Sequence, residues 1–220
     1  MNKSKTLLFS AAITAITVAT QAVTFNTVTV PFSGGAGAIP GGASVGHRFD
    51  VEGPGIFVNA LAFVSSSNGP LNAGTSAQVG IFSYAGPLYS GSFTAIPAAT
   101  ATINSSSSVS GFYAWQNLAS PVYLPAGQYG ILVSSVTLGG TDGVGSAFLG
   151  DGLPTFTSGQ GVVATPILGD AVGGSLASPS IDFRRFKIAN FDFTPVPEPE
   201  TYAMIAGLGL VGFGLWRKRQ

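Results

Sequence analysis

The chain has no cysteine, one histidine and few charges: Asp, Glu, Lys and Arg make up 8% of its 220 residues. Without cysteine there are neither disulfides nor thiolate metal sites. A folded domain here must rely on its apolar core, which this length can supply. A lone histidine limits His-dependent catalysis to His47, with Asp50 and Glu52 close by in sequence. One histidine beside abundant serine is what chance provides, so His47 reads as a structural or surface residue. Basic charge is also scarce in the body of the chain. Between residues 23 and 193, only Arg48, Arg184, Arg185 and Lys187 face seven acidic residues, a net of −3. That balance excludes a nucleic-acid-binding surface.

What the chain has in quantity is glycine (31), proline (14) and apolar residues, at 45%. This is too apolar for disorder and too rich in turn formers for a helical protein, which leaves an all-β domain. Residues 23–32, 45–51, 56–64, 77–84, 93–103, 112–118, 122–124 and 129–136 read as strands, separated by Gly, Pro, Ser and Asn clusters. Both alternating rows of 56–64 (IFVNALAFV) are largely apolar, so this strand is expected at the centre of a sheet, covered on both faces. Residues 129–136 (YGILVSSV) form a further core strand, and Pro97 should interrupt 93–103. Residues 139–174 read as a long Gly- and Asp-rich excursion, and 181–193 as the last strand. No helix-length amphipathic segment is available for parallel crossovers, so the expectation is a single antiparallel β-sandwich.

The two ends are different. Lys3 and Lys5 precede a short apolar run, 7–19, with small residues at Thr20 and Ala22, the pattern of a signal peptide cut after Ala22. At the other end, Pro197-Glu198-Pro199 is stiff and extended. An uncharged stretch, 203–215, follows between Tyr202 and Trp216, and Arg217, Lys218 and Arg219 close it. As a helix, 201–216 would reach roughly 24 Å, a little short of the roughly 30 Å hydrocarbon core, and four glycines weaken it. It is expected to be a marginal transmembrane anchor, with aromatic residues at its borders and cations as its stop. The resulting division is signal peptide 1–22, β-sandwich 23–193, Pro-rich linker 194–200 and C-terminal helix with basic tail 201–220.

The order Pro197-Glu198-Pro199, apolar span, Arg217-Lys218-Arg219 resembles the PEP-CTERM sorting signal of Gram-negative bacteria. The resemblance implies recognition by exosortase, a membrane-embedded transpeptidase-like enzyme, and delivery to the cell surface or extracellular matrix. It also implies a link to exopolysaccharide and biofilm formation. A second resemblance rests on "NALAF", "VGIFSYAG", Trp115-Gln116 and "SPVYLPAGQYGILV" within 56–133. These are similar to the jelly-roll modules of bacterial surface proteins and carbohydrate-active enzymes, and they imply the sandwich rather than a ligand.

Few residues suggest chemistry of their own. Trp115 shares a strand face with Tyr113, and the two would suit a sugar-stacking platform; a tryptophan in a sandwich more often fills the core. No pair of carboxylates stands out for glycosidase chemistry. Thr141-Asp142-Gly143 and Gly150-Asp151-Gly152 are oxygen-rich loops of the kind that hold calcium, and equally ordinary turns. The reading is a non-enzymatic exported protein, with a carbohydrate-binding module as the alternative and a secreted hydrolase as the third.

Overall fold

The computed structural model describes residues 23–24, 26–27, 45–64, 70–86, 91–111, 113–137, 155–156, 162–164, 170–171, 181–182 and 189–218. Within them the chain forms β1 (Val23–Thr24), β2 (Asn26–Thr27), β3 (Val45–Val51), β4 (Ile56–Val64) and β5 (Ser76–Ala85). There follow β6 (Ser92–Asn104), β7 (Ser108–Ser110), β8 (Tyr113–Leu124) and β9 (Gly127–Thr137). Short pieces β10 (Thr155–Phe156), β11 (Val162–Ala164), β12 (Asp170–Ala171) and β13 (Ile181–Asp182) precede β14 (Ala189–Pro195) and helix α1 (Pro199–Lys218). The signal-peptide segment 1–22 lies outside the described residues.

Two five-stranded sheets carry the fold, one in the order β1-β14-β4-β8-β7 and the other β11-β3-β9-β5-β6. Their pairings are antiparallel throughout. Except for the β5–β6 pair, which lies within the second sheet, successive long strands pass back and forth between the sheets, as in a jelly roll. The two strands expected at the centre are there: β4 is the middle strand of the first sheet and β9 of the second. The facing rows interlock through aromatic rings. Phe49 on β3 lies 4.7 Å from Phe191 on β14, with Tyr129 and Phe193 beside them at 5.7 and 5.6 Å. Ile56, Leu61, Ile81, Ile103, Leu124 and Ile131 fill the rest of the interior without solvent contact.

Proline explains where the ladders break. Between β5 and β6 the register jumps from Gly80↔Thr100 to Phe82↔Ala95, so Pro97 falls in the unpaired excursion. Between β4 and β8 it jumps from Val58↔Val122 to Ala60↔Asn117, which takes Pro121 out of the ladder. Proline has no N–H to give, so both sit where none is needed. Residues 112–124, expected as two strands around Ser120-Pro121, are joined on the far side of this bulge into one long strand, β8, from Tyr113 onward. The last strand also differs from expectation. Ile181–Asp182 pairs with β12 in a separate ribbon, while β14 begins at Ala189 and runs on to Pro195. Pro195 extends it because its partner Ile56 opens β4, bringing the chain directly to the tail.

Candidate functional site: the junction of sandwich and tail

β14 runs antiparallel to β4 to the last pair, Pro195↔Ile56, and contact with the sandwich continues one residue further. The Val196 N–H donates to the Gly55 carbonyl at 3.0 Å. Gly55 belongs to the tight connection between β3 and β4, Glu52-Gly53-Pro54-Gly55. Gly53 and Gly55 have φ of +62° and +105°, a region that side-chain-bearing residues avoid. The turn is braced from β8: the Tyr123 hydroxyl donates to the Pro54 carbonyl at 2.6 Å. A Cβ on Gly55 would meet the Leu124 carbonyl oxygen at 2.6 Å, so glycine is required there by space as well. Glu198 reaches back over this turn, its Oε1 3.9 Å from where a Gly53 Cβ would stand. The residue before the Pro197-Glu198-Pro199 segment is thus tied to the end of the sandwich, and Glu198 stands exposed beside the turn.

Helix α1 begins at once. Pro199 takes the first helical position, where a missing N–H costs nothing, and the Thr201 N–H donates to the Glu198 carbonyl at 3.0 Å. Glu200 lies in the first turn and Arg217 and Lys218 in the last, each matched to the helix dipole. Arg219 lies outside the described residues. No residue of α1 is buried: Met204, Leu208, Leu210, Val211, Phe213 and Leu215 all stand exposed. A helix apolar on every side is not a surface helix of a water-soluble domain; it requires an apolar environment. Yet no helix among the described residues is long and apolar enough to cross a membrane. The expected marginal transmembrane anchor is therefore not borne out as a membrane-crossing helix. Glu200, Arg217 and Lys218 occupy the ends of α1, so the uncharged run between them, 201–216, covers only about 24 Å at about 1.5 Å per residue.

The other expected site residues are placed as follows. Tyr113 is 4% exposed, and burial pushes its hydroxyl pKa upward. Trp115 is half-buried against the core, 5.9 Å from the Tyr113 ring, with its indole N–H donating to the Ser110 carbonyl at 3.4 Å. The pair therefore belongs to the packing of β7 on β8. His47 lies in β3 opposite Ile131. Residues 42–46 (GASVG) have the G-x-S-x-G spacing of a hydrolase nucleophile elbow, with Ser44 outside the described residues. An elbow needs a strand-to-helix turn, whereas Val45 and Gly46 open strand β3, which leads into another strand. Among the described residues, no three His, Asp or Glu side chains gather to hold a metal; Asp142 and Asp151 lie outside those residues.

Two features escaped the sequence reading. Asn59 is the unpaired bulge residue of β4, skipped in its register with both β14 and β8. The bulge aims its amide at Thr194 Oγ1, 3.0 Å away, and at Asp192. Desolvation raises the Asp192 pKa, against the opposing effects of Asn59 and the Phe193 backbone. The raised value means the folded state holds its proton to higher pH than the unfolded chain. Asp192 therefore makes stability fall as pH rises above about 4, through its raised pKa. Asp192→Asn is expected to remove that decline, leaving the variant as stable as wild type or more so at pH 7. Urea denaturation at pH 4 and pH 7 checks it; a variant that loses ground as pH rises contradicts it.

The second feature is an exposed aromatic pair beside the turn, Phe57 (40% exposed) and Tyr123 (48%), 5.3 Å apart. Neither feature has a local sequence signal, since each depends on a register shift or a cross-strand neighbour.

The fold and its end together define an antiparallel β-sandwich that delivers an extended, proline-flanked glutamate and an exposed apolar helix from one edge. Residues 195–219 match the family model of the PEP-CTERM protein-sorting motif. The match runs from the last residue of β14 through the cationic end, and it implies an exported protein that an exosortase processes. No curated protein and no solved structure matches the chain.

Proposed function

We propose that this is a non-enzymatic cargo protein: an exported sandwich held temporarily at the membrane by α1, then freed of its tail and placed on the cell surface or in the extracellular matrix of a Gram-negative bacterium. The observation that carries this is the junction itself. The sorting motif begins where the sheet ends, and within it only residues 196–198 separate the last strand from an unburied apolar helix. Cutting there releases an intact domain and leaves the apolar part behind. The short reach of α1 supports a temporary hold rather than a permanent span. Tyr202 and Trp216 suit the interface, and Arg217 and Lys218 keep the end from being drawn through. Association with exopolysaccharide in a biofilm is the setting in which such a surface protein would work. Carbohydrate binding through Trp115 and Tyr113 is less favoured, because stacking on a sugar needs an open ring face and Tyr113 is buried.

Replacing Pro197, Glu198 and Pro199 together by alanine tests the reading. The sandwich is expected to fold as before, while the protein accumulates at least about tenfold in the membrane fraction. Equal release of the variant and wild type would refute it.

A further inference from the structure

The junction holds the motif as well as displaying it. Val196, the residue before Pro197, has given its N–H to Gly55, and the exposed Glu198 carboxylate lies 3.9 Å from where a Gly53 Cβ would stand. The seat is stiff on its far side, because Tyr123 braces Pro54 and the Phe57 ring packs against Tyr123. Motif and sheet are also close-coupled. Only residues 196–198 separate β14 from α1, about 10 Å of chain even when fully extended. An enzyme that acts on a peptide bond takes the segment as an extended strand and pairs with its backbone groups. Here those groups are bounded by a sheet on one side and a helix on the other, and the Val196 donor is already in use.

We propose that the Gly53–Gly55 turn is an intramolecular binding site for the Pro197-Glu198-Pro199 motif, and that it competes with the processing enzyme for that segment. This rests on the reading of the tail as a processed sorting signal. The seat exists only when β3, β4 and β8 are assembled, so it restrains the motif in folded chains. Tail removal then proceeds through a brief release of residues 196–198 from the turn. The residues involved are specific: the missing Gly53 side chain keeps the space beside the Glu198 carboxylate open, the Gly55 carbonyl accepts from Val196, and Tyr123 braces the turn through Pro54.

Two full-length variants test this. In the first, a six-residue Gly-Ser segment is inserted between Pro195 and Val196, which moves the motif off the seat and leaves the β14–β4 register intact. In the second, Gly53→Asn tolerates the positive φ but puts a side chain beside the Glu198 carboxylate, within van der Waals range of it. Both are expected to lose their tails about three- to tenfold faster than wild type in pulse-chase, the effect of freeing one hydrogen-bonded contact. In detergent-purified wild type, the Val196 amide is expected to exchange hydrogen at least about tenfold more slowly than an unstructured amide. The insertion should abolish that protection. Unchanged or slower tail removal in both variants, or an unprotected Val196 in wild type, overturns the proposal. If wild type keeps its tail under all conditions, the sorting reading fails, while the exchange measurement still decides whether the seat exists.

Discussion

Phe191→Ala is expected to lower the stability of the sandwich by about 3–5 kcal/mol, the usual cost of emptying a fully enclosed phenylalanine site. Phe191 has no solvent exposure and sits where the two sheets meet, 4.7 Å from Phe49 and 5.6 Å from Phe193. Its strand pairs with the middle strand of its sheet, through Phe191↔Leu61, so neighbours cannot collapse into the space without bending β4. A domain of this size is stable by about 5–15 kcal/mol, so the variant should be close to unfolding at 37 °C. Phe57→Ala is the control on the same sheet. Phe57 is 40% exposed, and its truncation should cost no more than about 1 kcal/mol. Guanidinium denaturation of the two variants, purified without the tail, measures the difference. Similar losses for both would mean the sheets do not face each other across Phe49 and Phe191.

Gly46→Ala should be at least as damaging, for a different reason. Gly46 lies inside β3, opposite Leu132 of β9, and a Cβ added there would overlap the Ile131 carbonyl oxygen. The obstacle is backbone, so no rotamer change relieves it. β3 would have to separate from β9, giving up a ladder that runs from Val45↔Val133 to Val51↔Gly127. The expected loss exceeds about 3 kcal/mol, seen as failure to accumulate soluble protein or a fall in Tm of more than about 10 °C. A variant within about 0.5 kcal/mol of wild type would show that β3 and β9 are not so closely apposed. Alanine is the smallest side chain and a mild change at most strand positions, which makes the test sharp.

How legible this was in the sequence depended on whether the signal was local. β4, with its two apolar rows, and β9, with its Ile131-Leu132-Val133 core, were readable because burial on both faces leaves a continuous apolar run. The tail was readable because its parts lie next to each other. Its shortfall against a bilayer is legible too, since the charges Glu200, Arg217 and Lys218 lie within the helix itself and no helix of the described residues is long and apolar enough to cross a membrane. Trp115 was placed correctly as a partner of Tyr113, but only the fold shows that Tyr113 is enclosed. The seat on Gly53–Gly55 was not readable. It joins residues about 140 positions apart, through one backbone hydrogen bond that leaves no mark on either segment. The Asn59–Asp192–Thr194 cluster was hidden for the same reason: it depends on where Pro121 forces β8 to slip against β4.

The most direct test of the account is the intact mass of the protein recovered from the cell surface or medium, set beside that from the membrane fraction. The surface form is expected to end near the Pro197-Glu198-Pro199 motif and to lack α1, while the membrane form retains it. A surface form whose mass still includes Arg217 through Gln220 would contradict it.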